Sequence, residues 1–170
     1  DSSIVGAVSV AFDITEWQKL YRAQEIMASF ASGLRKANDR SEMCPIILNK
    51  IADIFDSHLC ALISLNTLTG ELTEEFMLGD WDIPSHNPSW LVLTSKRILA
   101  TAEPFADKMV FDDLRPTQAL YMAGIPLIAN EKRIGVLWLG RKFPINENEI
   151  QLLVDIGDMV ANALNRVTQH

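Results

Sequence analysis

Residues Tyr121 to Lys142 read YMAGIPLIANEKRIGVLWLGRK. Two apolar runs, Tyr121 to Ile128 and Ile134 to Leu139, flank a polar connection, Ala129-Asn130-Glu131-Lys132-Arg133. The pattern predicts two antiparallel strands joined by one of the longer hairpin loops. Both runs are nearly continuous in apolar residues, so both faces of the hairpin are expected to be covered and the pair to lie inside a sheet. The flanking chain must then supply the covering layers.

Downstream, Asn146 with Glu149 three residues later has the form of a capping box opening a last helix. Ile150, Leu153, Gly157, Val160, Leu164 and Val167 follow a strict 3-4 alternation, and Leu152, Ile156, Met159 and Ala163 form a second row. Two apolar faces imply two neighbours, the sheet and a helix of the same or a second chain.

Upstream, Leu59 to Asn66 predicts a strand with Leu59, Ala61, Ile63 and Leu65 on one face and Cys60, Leu62 and Ser64 on the other. A turn over Thr67 to Gly70 leads to a second strand, Glu71 to Leu78. Before these, Asp39 and Ser41 offer an N-cap, Pro45 fits a first helical turn, and Ile46, Ile47, Ile51, Ile54 and Phe55 give a stripe ending near Ser57. Gly79 to Pro88, GDWDIPSHNP, reads as a loop into a short helix, Ser89 to Arg97. Ile98 to Thr117 is irregular, with a short strand at Pro104 to Ala106.

At the start, Thr15 and Gln18 form another capping-box pattern, opening a helix to about Asn38. Leu20, Met27 and Leu34 recur every seven residues, as do Ala23, Phe30 and Ala37 at an offset of three. This a/d seam requires a partner: the same helix of a second chain, the chain's own last helix, or its own domain.

The run Ile125-Pro126-Leu127, a charged loop, Ile134-Gly135-Val136-Leu137 and then a long helix resembles the C-terminal half of a GAF domain. The likeness extends over about Ser41 to Val167. It implies an α+β sandwich, with a central antiparallel sheet, the N- and C-terminal helices on one face, and ligand-pocket helices and loops on the other. The Asp13-Ile14-Thr15 step resembles the end of a PAS domain, the alternative being an ordinary strand entering a helix. The expected division is therefore residues 1–14 as the last strand of a PAS-like domain, 15–40 as a linker helix, and 41–170 as the GAF domain.

Composition narrows the function classes. With 48% hydrophobic and 22% charged residues, the 170-residue chain can bury a substantial core. No apolar run approaches the roughly 20 residues that span a bilayer, and there is no signal-like start, so no membrane contact by this segment is expected. A net charge of −7 argues against a nucleic-acid partner. Lys132-Arg133 and Arg141-Lys142 read as solvated hairpin positions. Two cysteines, Cys44 and Cys60, make no disulfide framework and suit a reducing, cytoplasmic setting.

The ligand-pocket candidates are Cys60, Leu62, Ser64, Phe76, Trp81, Asp82, Trp90, Phe105, Tyr121 and Trp138. Asp80 and Asp82 around Trp81 would bond a polar ligand or merely cap a turn. The aromatics would stack on a flat ligand or simply pack the core. Cys60 is placed on the pocket-facing side of its strand, with a redox role weighed against that of a small buried hydrophobe. His86 is either an axial haem ligand or an exposed loop residue. The dispersed His58, His86 and His170 give no converging metal ligands. Bilin-binding GAF domains attach their chromophore through a Cys in the middle region, and Ile98 to Gln118 has none. The free methionine sulfoxide reductases on this fold carry several pocket cysteines, which Cys44 and Cys60 do not match.

The resemblance implies a non-catalytic sensory or regulatory domain of a bacterial two-component or related signalling protein. A preceding PAS domain and a following output domain, a histidine kinase or a cyclic-di-GMP enzyme, would be covalently linked partners. An unidentified small molecule would be the ligand, and no cofactor is named. A homodimer is expected through a coiled-coil-like pairing of the terminal helices at Leu20, Met27, Phe30, Leu34, Leu153, Val160, Leu164 and Val167. The alternatives are an unliganded dimerisation spacer and, third, a reductase.

Overall fold

A computed structural model describes residues 18, 21–79, 81, 88–111 and 118–168. Among them, five strands form one sheet: β1 (Leu59–Leu65), β2 (Leu72–Leu78), β3 (Phe105–Phe111), β4 (Gln118–Ala129) and β5 (Lys132–Arg141), in the order β2-β1-β5-β4-β3 with every neighbour antiparallel. The quoted hairpin is β4-β5. Both its strands have neighbours on either side, as expected of a pair buried on two faces. The helices are α1 (residues 21–36), α2 (Arg40–Phe55), α3 (Pro88–Thr101) and α4 (Glu147–Thr168). The cap expected at Thr15 and Gln18 and the PAS-like strand at 1–14 lie outside the described residues, wholly or in part.

Strand alternation sends successive side chains to two separate cores. On one face, Cys60, Leu62, Ala123, Ile125, Leu127, Leu137 and Leu139 pack with α1, α2 and α4. On the other, Leu59, Ala61, Ile63, Val136 and Trp138 pack with Leu91, Ile98 and Leu99 of α3. At Gly157 of α4, a Cβ would collide with Ile125 of β4, so the missing side chain lets the helix lie close on the sheet.

Several boundaries differ from expectation for identifiable reasons. The hairpin loop is two residues long, because Ala129 pairs with Lys132 and only Asn130 and Glu131 turn, at φ 52° and 66°. Two positive φ values in a two-residue connection mark a type I′ turn, for which glycine is usual at the second position. A glutamate there conceals the turn. The register shift after Leu127 leaves Ile134 as an extra residue on β5, a β-bulge beside the turn. Strand β3 runs seven residues rather than three: FADKMVF has no strong pattern of its own and is ordered by pairing along β4. Helix α3 continues past Arg97 because Thr94 and Ser95 occupy buried positions between Leu91 and Ile98, and these hydroxyls hide an otherwise regular stripe.

Helix α2 is capped as expected, the Asp39 carboxylate accepting from the Glu42 N–H at 2.9 Å. It starts at Arg40, so Pro45 falls in the second turn and leaves the Ser41 carbonyl without its helical donor. At α4 the capping box is complete: Asn146 Oδ1 accepts from the Glu149 N–H at 2.8 Å, and Glu149 Oε1 from the Asn146 N–H at 3.2 Å.

Arg141 overturns its assignment as a solvated hairpin residue. It is 2% exposed. Its Nε–H donates to the Phe143 carbonyl, Nη1 to the Phe55 carbonyl and Glu149, and Nη2 to the Pro144 carbonyl and Glu149. All five guanidinium N–H groups are thereby used. The reason is positional: the last residue of β5 lies where the end of α2 meets the start of α4.

Candidate functional site

Face by face, the pocket candidates separate into two groups. Trp81, Trp90, Phe105 and Trp138 belong to the α3-side cluster. Cys60, Leu62 and Phe76 belong to the helix-side core instead, and Ser64 and Tyr121 follow the same alternation. Cys60 thus packs in the helix-side core and not under α3. Alternation along β1 was foreseen, but not that α3 covers the face carrying Leu59, Ala61 and Ile63. Asp82, with Asp80 and His86, lies outside the described residues.

On the α3 side, Trp138 is fully buried at the centre. Its ring centroid is 5.6 Å from that of Trp90 and 5.6 Å from that of Phe105, with interplanar angles of 49° and 60°. Trp90 and Phe105 lie 6.3 Å apart at 72°. Tilted and edge-on contacts at such separations are the favoured aromatic geometry, worth about 0.5–1.5 kcal/mol a pair beyond burial. The cluster forms because Gly124, opposite Trp138 in the β4-β5 register, leaves room for the indole; a Cβ there would sit 3.0 Å from its ring and 2.9 Å from Ile98 Cδ1.

Two indole N–H groups, those of Trp138 and Trp81, have described partners. Trp138 donates to Ser95 Oγ at 2.9 Å, inside the core. Trp81 donates to the carbonyls of Leu78 and Cys60, at 3.0 and 3.1 Å, which pins it over the end of the β1-β2 pair. Ser95 was missed in the sequence because a helix-borne serine carries no signal until its indole partner is placed. Trp90 and Phe105 are half-buried, whereas Trp138 is fully buried. The cluster is built of apolar and aromatic side chains, with the buried Ser95 hydroxyl against Trp138. Asp80, Asp82, Asp112, Asp113 and Arg115 lie outside the described residues.

Both thiols are buried on the opposite side. Burial, reinforced by the Glu75 carboxylate, pushes Cys44 up to about 12. Burial pushes Cys60 up to about 11, with the contact to Ser57 opposing it only in part. Neither is poised as a thiolate nucleophile at neutral pH. Among the described residues no group of three metal-ligating side chains converges, and no helix is long and apolar enough to cross a membrane.

The proposed interface residues are also relocated. Phe30, Leu34, Leu153, Val160 and Leu164 are buried inside the single chain, at 0 to 3% exposure, where α1 and α4 share one core. That core also takes in α2 and one face of the sheet, and α1 meets α2 directly, Lys50 Nζ donating to the Ser29 carbonyl at 3.3 Å. Met27 and Val167 are half-buried at its margin, and Leu20 lies outside the described residues.

Among the described residues, a five-stranded antiparallel sheet between helical layers, with an aromatic cluster under α3, defines an α+β domain. The GAF domain family model matches residues 39–164, and the chain belongs to that family. No curated protein is a significant match. Among solved structures, the GAF domain of a phosphoenolpyruvate-protein phosphotransferase from Acinetobacter is 13% identical, with a TM-score of 0.61, over 87% of this chain and 96% of that one. Free methionine-R-sulfoxide reductase from Neisseria meningitidis, solved with its substrate, is 12% identical, with a TM-score of 0.66, over 86% and 90%. Residues 122 to 287 of a methyl-accepting chemotaxis protein are 14% identical, with a TM-score of 0.62, over 82% and 97%. At these identities the likeness is one of fold.

Proposed function

We propose that this GAF domain is a sensory or regulatory module that binds a flat, largely apolar small molecule on the α3 side of its sheet and reports occupancy through its terminal helices. The observation that carries this is the aromatic group on the α3 side, in which Trp90 and Phe105, both half-buried, flank the fully buried Trp138. Relay across the sheet follows from alternation. Trp138 faces the ligand side while Leu137 and Leu139 pack under α4, so a shift of β5 is felt on both faces at once. In the full protein the module would sit in the cytoplasm between a PAS domain and an output domain, a bacterial histidine kinase or cyclic-di-GMP enzyme. Homodimerisation would use the outer surfaces of α1 and α4, since Phe30, Leu34, Leu153, Val160 and Leu164 are already buried within the chain. A non-catalytic role is supported by the buried thiols, whose elevated pKa values disfavour reductase chemistry.

The second reading is a dimerisation spacer without ligand, favoured by the tightness of the packed centre of the α3 side, where Leu59, Ala61, Ile63, Leu91, Val136 and Trp138 are all fully buried. Native mass spectrometry of the purified chain, before and after denaturation, separates the two. A small molecule carried by the folded chain and lost on unfolding is the expected result, with Trp90→Ala reducing its occupancy. A dimer that takes up no aromatic metabolite from a cell extract would overturn the sensor in favour of the spacer. Methionine sulfoxide turnover that disappears in Cys60→Ala would overturn both.

A further inference from the structure

Arg40 is the first residue of α2, and Thr168 is the last of α4. The Arg40 guanidinium grips both carboxylate oxygens of Glu75 on β2 through Nε and Nη2. Its Nη2 also donates to Ser64 Oγ on β1 at 2.9 Å, and its Nη1 to Thr168 Oγ1 at 2.9 Å. One side chain thus joins two strands and the ends of two helices. Charge-assisted forks of this kind are directional as well as strong.

Glu75 reaches Arg40 because of a bulge. Leu62 pairs with Phe76 and Ile63 with Glu74, so Glu75 is an extra residue with no partner on β1. Unbroken alternation would put residue 75 on the face of Met77, toward α3, whereas the bulge turns it to the helix side. Strand β2 consequently touches both layers: Leu72 and Met77 pack in the α3-side cluster, Phe76 and Leu78 against the helix-side core. The last turn of α4 borders an open cleft of about 530 Å³ lined by Arg40, Ser64, Glu75, Asn165 and Thr168. Packing holds the middle of α4, whereas the bond to Arg40 is a polar tie at its end.

We propose that this network is a coupling clamp, by which displacement of the bulged strand β2 from the α3 side loosens the end of α4. The clamp deepens the relay proposed above by naming its contact. Its biological use rests on that relay, but the coupling is a property of the unliganded chain and is tested without ligand, so either proposal fails on its own experiment.

Hydrogen–deuterium exchange of the whole 170-residue chain tests it. Glu75 has no bond to α4 of its own, yet Glu75→Gln is expected to speed exchange of amides 165–168 at least about fivefold, the lower end of usual coupling strengths, while amides 153–160 stay protected. Because coupling is reciprocal, Thr168→Val must speed exchange over 72–78 by a similar factor. Loosening confined to each variant's own element would overturn the clamp. Should Glu75→Gln raise exchange everywhere, Thr168→Val, at an exposed helix end, decides alone: faster exchange in β2 supports the clamp and unchanged exchange sinks it.

Discussion

Two arginines carry most of the polar organisation, in different settings. Arg141 is enclosed, and removing its charge would leave Glu149 and three carbonyls without their donors. Arg141→Gln is expected to destabilise the domain by about 3–5 kcal/mol, the usual cost of breaking a buried pair, read from the urea midpoint at unchanged slope. The hydrogen bonds from Arg141, with that from Asn146, hold Glu149 below its ordinary 4.5 despite the opposing effect of burial. Burial alone would raise Glu75, but the bonds from Arg40 and Ser64 outweigh it and leave that carboxyl low as well. For carboxylates whose folded pKa lies below the unfolded one, the stabilisation is complete above the unfolded value and lost as pH falls through the folded one. The domain is therefore expected to hold its full stability above about pH 5.5 and to lose it progressively below about pH 4.5. Thermal melts across that range check this, and Glu149→Gln should flatten the acid limb. Arg141 was illegible in the sequence because a basic residue after a strand is exposed far more often than enclosed.

Among the elements, the β4-β5 hairpin was the most legible and its turn the least. Continuous apolar runs identify buried strands, but the loop length depended on a glutamate adopting φ 66°. A residue with a Cβ pays about 1–2 kcal/mol in the left-handed region, part of which glycine gives back through its freer unfolded chain. Glu131→Gly is accordingly expected to stabilise the domain by about 0.5–1 kcal/mol, seen as a raised melting temperature; a lowered one would mean that the turn is not strained. Helices were readable where capping side chains announce them, as at Asp39 and Asn146, and less so in α3, where Thr94 and Ser95 interrupt the stripe. Alternation along β1 correctly divided its residues between faces. Which face meets α3 was not readable, since that is settled by the course of the chain after β2 and not by β1 itself.

For the molecule as a whole, the seven-residue spacing of α1 and the two rows of α4 describe a core shared within one chain. Leu164→Glu places a charge in a fully buried position. It is expected to cost about 4 kcal/mol or more and to abolish the cooperative melt, so it reports on folding and not on association. A dimer through the terminal helices is better tested at the margin, with Met27→Glu followed by sedimentation. A fall to monomer with the melt retained is the outcome that the outer-surface interface predicts.

The aromatic cluster has an optical consequence. Trp81, Trp90 and Trp138 all stand on the α3 side, and the helix-side core, as described, contains no tryptophan. With the fourth tryptophan, Trp17, which lies outside the described residues, replaced by phenylalanine, ultraviolet-excited emission reports on one layer of the sandwich. A molecule settling against Trp90 would quench or shift that emission without any attached dye, whereas events among α1, α2 and α4 would pass nearly unseen by it.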